Sequence, residues 1–156
     1  MRKTSSLSAW MVSLVAGLMV LGMGALASDA RAAETVDGLT IYLGMVPAAV
    51  VRDHHPPDHP EAEMHDGVPD DGYHVMIALF DEKTGDRITD ADVEATISSE
   101  EMAEVRKDLE LMVIADAETY GNYFDLTGSA RYDIDLKIRL PDDDREVRAT
   151  LDWQRP

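Results

Sequence analysis

Along residues 132–153 apolar and polar positions alternate with a period of two. Tyr132, Ile134, Leu136, Ile138 and Leu140 fall on one side, and Asp133, Asp135, Lys137 and Arg139 on the other. After Pro141-Asp-Asp-Asp144 the alternation resumes, with Val147, Ala149, Leu151 and Trp153 set against Arg148, Thr150 and Asp152. A period of two is that of a strand, so this pair predicts a hairpin with one buried face. Leu39, Ile41 and Leu43 alternate in the same way with Thr40, Tyr42 and Gly44. Pro47 interrupts that strand, and Ala48–Val51 is expected to continue it along a sheet edge, where a missing N–H is tolerated.

Tyr73–Phe80 reads as a strong strand, with Tyr73, Val75, Ile77 and Leu79 on one face and His74, Met76, Ala78 and Phe80 on the other. Asp81–Asp86 is a turn, and Arg87–Thr89 and Val93–Ile97 follow as strands. Leu109–Ile114 and Tyr120–Leu126 are two more, split by a turn over Ala115–Thr119. Ser99–Lys107 alone has the length for a helix, and reads equally as a long polar loop. Short strands at intervals near ten residues, with no strand–helix alternation, predict an all-β fold: an Ig-like antiparallel β-sandwich of about seven strands, with a small barrel as the alternative.

The first 32 residues stand apart. Arg2 and Lys3 precede an uncharged run through Ser28, and small-x-small sites follow at Ala25-Leu26-Ala27 and Ala30-Arg31-Ala32. This is the form of a secretory signal peptide over residues 1–32, which leaves a single domain at 33–156. An uncleaved membrane anchor is the competing reading, since the apolar run nearly suffices to span a bilayer. Export places the protein in an extracytoplasmic compartment, most simply a bacterial periplasm.

Charge narrows the partners. Acids outnumber bases by 31 to 14, for a formal charge of −17. Such a chain offers no field to attract phosphate backbones, so no nucleic-acid partner is expected. The chain has no cysteine, which removes disulfides, thiolate metal sites and cysteine nucleophiles together. No phosphate-binding glycine loop, nucleophile elbow or His-Glu-x-x-His helix occurs, and the reading is non-enzymatic.

Histidine is the informative residue. All five (His54, His55, His59, His65 and His74) fall within one short stretch, which also holds Met64 and Met76. Arg52–Gly72 is Pro-rich and reads as a loop, in which imidazole, thioether and carboxylate groups mix. These are ligands for copper, iron(II), nickel or zinc where thiolate is lacking. A solvated loop whose histidines bind nothing is the plain alternative. His74 and Met76 lie two residues apart and so project from one face of their strand, roughly 7 Å apart at Cα.

Leu111-Met-Val-Ile-Ala-Asp-Ala-Glu-Thr-Tyr-Gly-Asn122, followed by a turn at Gly128 and Arg131-Tyr-Asp-Ile-Asp-Leu-Lys-Ile138, resembles the Met-Val-Ala-x-Asp…Tyr-Gly-Asn segment of the small periplasmic iron-transport proteins that partner bacterial iron permeases. The resemblance implies an Ig-like sandwich, often a homodimer, with a surface site of Met, His and Glu that takes a copper or iron ion. By position it makes Met112 a ligand and His74 another, and sets the strand of Met112 beside Tyr73–Phe80. Met76 stands where the family has a glutamate and Thr119 where it has a second histidine, and no histidine follows His74. Either the His-rich loop supplies substitutes or the specificity differs, and a thioether in place of a carboxylate shifts preference toward Cu(I).

The expectation is a secreted β-sandwich that binds a transition metal and passes it to, or buffers it for, a membrane metal transporter or permease. Its fixed ligands are His74, Met76 and Met112, with His65, Met64, His59, His55 and His54 as mobile contributors. The alternative is a non-metal scaffold module that presents its acidic surface to a basic partner.

Overall fold

A computed structural model describes residues 33–54, 69, 72–114, 116–127, 131–141 and 145–156, with only the backbone of residues 53 and 54. Nine strands and one short helix make up these residues: β1 (Ala33–Val36), β2 (Leu39–Pro47), α1 (Ala48–His54), β3 (Tyr73–Asp81), β4 (Arg87–Ile88), β5 (Asp92–Ser99), β6 (Met102–Ile114), β7 (Ala117–Phe124), β8 (Arg131–Arg139) and β9 (Glu146–Gln154). All pairings are antiparallel, in the order β1-β2-β3-β7-β6-β5-β8-β9, with β4 added to β3. The all-β antiparallel expectation holds. The strand count is nine rather than about seven: β4 falls within the expected Arg87–Thr89 strand, while β1 is too short to show a period.

β6 joins the two layers. Its N-terminal part pairs with β5, ending at Val93↔Leu109, and its C-terminal part pairs with β7 from Glu110↔Gly121 to Ile114↔Ala117. At this fork side chains stand in for ladder bonds. Asn122 Nδ2 donates to the Asp108 carbonyl at 2.8 Å, and Lys107 Nζ donates to the Tyr123 carbonyl at 2.7 Å. Between the layers, Leu39, Ile41, Val75, Ile77, Leu79, Tyr120 and Phe124 of one sheet meet Val93, Ile97, Tyr132, Ile134, Ile138 and Val147 of the other. Burial of these side chains contributes on the order of 1.5–3 kcal/mol each before entropy is counted.

Three local expectations fail, each for a physical reason. Ala48–Val51 does not extend β2 along an edge but opens α1, which also takes in residues 52–54 of the expected loop. Pro47 ends β2 opposite Tyr73, and the following Ala-Ala favours helix although Val50 and Val51 imitate a strand. Ser99–Lys107 is neither helix nor loop. Ser99 ends β5, residues 100–101 turn, and Met102–Lys107 enter β6 through pairs such as Ile97↔Val105 and Thr96↔Arg106, so tertiary pairing overrides a charged, weakly alternating sequence. The turn before β7 is also shorter than expected, with strand resuming at Ala117 after Asp116 at positive φ.

β1 is set by its turn. Asp37 (φ 47°) and Gly38 (φ 84°) form a two-residue hairpin loop between Val36 and Leu39, the mirror-image turn that suits strand twist. Gly72 (φ 105°) immediately precedes β3, its carbonyl accepting from Ala48 N–H at 3.0 Å. A Cβ there would run into the carbonyl of Phe124, so glycine fixes how α1 and β7 converge on β3.

Among the described residues no helix is long and apolar enough to cross a membrane. Residues 1–32, where a signal peptide is expected, lie outside them.

Candidate metal-binding face

The outer face of β2, β3 and β7 carries few charges. Period-two geometry places His74 and Met76 there as expected, together with Gly44, Gly121 and Tyr123. His74 and Tyr123 are cross-strand partners, and their rings stack with centroids 4.5 Å apart and planes 24° apart. Although the face points away from the inter-sheet core, His74, Tyr123 and Met112 are all about 95% buried.

Met112 reaches this face by a different route from the one expected. Its strand does not lie beside β3, since β7 runs between β3 and the C-terminal part of β6. Met112 pairs with Thr119, and the row Gly44–Met76–Gly121–Glu110 crosses all four strands. The gap is closed by glycine. A Cβ on Gly121 would lie 2.9 Å from His74 Nε2 and 3.1 Å from the Met112 methyl, so both tips overhang one point above the Gly121 backbone. His74 Nε2 is itself buried. Two strands apart, an imidazole nitrogen and the methyl end of a methionine converge because the residue between them has no side chain.

Met76 does not join them at its tip. Its methyl sits 3.1 Å from the Cβ position of Gly44, on the β2 side, whereas the His74–Met112 pair lies on the β7 side. The shared face is therefore present, but the structure gathers two of the three expected fixed ligands. His54 has its backbone at the end of α1, and its side chain lies outside the described residues. His55, His59, Met64 and His65 also lie outside them. Among the described residues no group of three or more His, Cys, Asp or Glu side chains is placed to hold an ion.

Gly121 and Tyr123 are the site residues that sequence reasoning missed. A glycine inside a strand between two tyrosines is a recognised sign of close approach by a neighbour, and it was the available signal. The donors present fit a soft ion of low coordination number better than a hard one, because imidazole nitrogen and thioether sulfur suit Cu(I) while iron(II) and magnesium favour more oxygen.

The chain matches no protein-family model and no curated protein. Its fold is similar to solved structures of low identity. One is a copper-bound variant of FetP from uropathogenic Escherichia coli strain F11 (TM-score 0.60, 12% identity, covering 79% of this chain and 93% of that one). FetP has also been solved after recombinant expression in the periplasm. Another is the copper-reconstituted P19 protein of Campylobacter jejuni (TM-score 0.61, 12% identity, 79% and 92%). A third is a DUF4426 family protein from Pseudomonas aeruginosa (TM-score 0.57, 6% identity, 78% and 94%).

Proposed function

We propose that the protein binds a transition-metal ion, Cu(I) ahead of iron(II), on the outer face of β3, β7 and β6, and that it does so in the periplasm as a binder rather than an enzyme. The observation that carries this reading is the convergence of His74 Nε2 and the methyl end of the Met112 side chain over the bare backbone of Gly121. The fold likeness to FetP and P19, both solved with copper, supports it. His74 and Met112 would hold the ion. Tyr123, stacked on the imidazole, fixes the ring plane, and the buried surroundings exclude water that would otherwise compete for the ion. Bound there, the ion would be carried as cargo, to be buffered or passed to a membrane transporter or permease.

The test is a competitive Cu(I) titration of purified protein and three variants. Met112→Leu nearly conserves volume, which typically costs less than about 1.5 kcal/mol of stability, and it removes the soft ligand. Its affinity should fall at least on the order of tenfold. His74→Ala should weaken Cu(I) binding as strongly and lessen its dependence on pH, since proton and metal compete for the imidazole. Met76→Leu should change affinity least, because that methyl is turned to Gly44. Unchanged affinity in the first two, with unfolding midpoints preserved, would remove this face from metal binding.

A further inference from the structure

We infer a second, separate docking surface: the edge of β6 at residues 111–114, which takes an extended segment of a basic, apolar partner protein as an added strand. The ladder between β5 and β6 ends at the Val93–Leu109 pair, while β6 runs on to Ile114. Along residues 111–114 β7 occupies one side, and among the described residues no strand occupies the other. Alternate N–H and C=O groups of such a segment face outward, ready to pair with another chain.

The side chains on this edge are apolar and open. Leu111 is 42% and Val113 56% exposed, the two most C-terminal of the large exposed hydrophobics. Period two puts them on the opposite face of β6 from Met112, so the surface is distinct from the candidate metal-binding face. Beside Leu111 lies a cleft of about 560 Å³, lined also by Thr89, Ala91, Val93, Leu109 and Tyr120, at the point where β5 stops pairing. A missing strand would fill that interval.

Charge selects the occupant. Asp90, Asp92 and Asp108 rim the cleft, and the one cation among the described residues lining it, Arg139, is shared between Asp92 and Glu146, each at 3.9 Å. Asp90 and Asp108 are left facing the opening, in a chain already at −17. An apolar strip bordered by surplus carboxylate fits a strand in which lysine or arginine alternates with aliphatic residues. Main-chain pairing would supply affinity, and the acidic rim would choose the sequence. A second copy of this strongly acidic chain would bring repulsion to the same rim.

The experiment titrates purified protein with a short capped peptide of alternating lysine and valine, with a glutamate–valine peptide as control. Amide hydrogen exchange locates the contact. The lysine peptide should bind saturably, protect the amides of residues 111–114, and weaken on the order of tenfold as ionic strength rises from about 0.01 M to about 1 M. Val113→Lys should abolish binding. Asp90→Asn with Asp108→Asn should reduce it severalfold, and since both side chains are on the rim this variant reports even if the first is unstable. Protection elsewhere, equal binding of the glutamate peptide, or no binding would overturn the proposal. Peptide-independent dimerisation that Val113→Lys abolishes would assign the edge to a second copy instead.

Discussion

On the outer face of β5, β8 and β9, the residues between the core positions are charged or hydroxyl-bearing: Glu94, Thr96, Asp135, Lys137, Arg148 and Thr150 line an open groove. They satisfy one another at the surface, as where Thr150 Oγ1 donates to Asp135 at 2.6 Å and Arg148 pairs with Glu146 at 2.6 Å. On the outer face of β2, β3 and β7 the equivalent positions hold Gly44, His74, Met76, Gly121 and Tyr123, and His74 and Tyr123 are buried. Both faces are built by the same alternation. One is a solvated surface whose ion pairs contribute little each. The other keeps polarizable, metal-competent groups out of water, and two glycines make room for them. An outward position that is neither charged nor exposed is where chemistry is to be sought.

That contrast breaks at different depths, and substitutions rank accordingly. Ile134→Ala strikes the layer beneath both faces. With its side chain fully buried, it should lower stability by about 2–5 kcal/mol in denaturant unfolding, the usual range for an aliphatic side chain truncated in a core. Gly121→Ala comes next. Its Cβ would press on His74 Nε2 and, at 3.1 Å, on the Val75 carbonyl, which is backbone and cannot step aside. A loss of about 1–3 kcal/mol is expected, together with Cu(I) affinity reduced as far as in His74→Ala. Retained affinity in a folded Gly121→Ala protein would show that the opening over Gly121 is only packing.

Tyr120→Phe tests the seam rather than either face. The Tyr120 hydroxyl accepts the Ala91 N–H at 2.9 Å in a buried setting, and the variant should cost about 1 kcal/mol at neutral pH. Burial pushes the phenol above its ordinary value of 10.0, with Asp90, Asp92 and Glu118 adding to the rise and the Ala91 bond opposing it. A raised value means that the unfolded chain loses this proton first. The phenol's stabilising contribution is therefore complete below about pH 10 and falls away as pH climbs through the folded-state value. Unfolding curves at neutral and strongly alkaline pH should show a steeper alkaline loss in the parent than in Tyr120→Phe. Smallest is Arg148→Ala on the solvated face. It should shift stability by no more than about 0.5 kcal/mol, and a larger loss would mean that the groove is more than a surface.

The sequence alone determined most of the layer structure. Strict alternation in β8 and β9, and apolar residues every second position in β3 and β5, dictate which side chains meet in the core, because a strand's two faces are fixed by a period that does not depend on its neighbours. The same rule put His74 and Met76 on one face. Where the pattern was weak, partners decided: Met102–Lys107 became strand because β5 offered it a ladder, and Ala48–His54 became helix because Pro47 ended a strand. Strand order lay beyond any period. That β7 separates β3 from β6, that Gly121 therefore sits beneath both His74 and Met112, and that Met76 turns to Gly44 instead are facts of register between residues far apart in the chain. Pairing energy along a strand is nearly the same for many neighbours, so only the simultaneous fit of all the buried faces selects one arrangement.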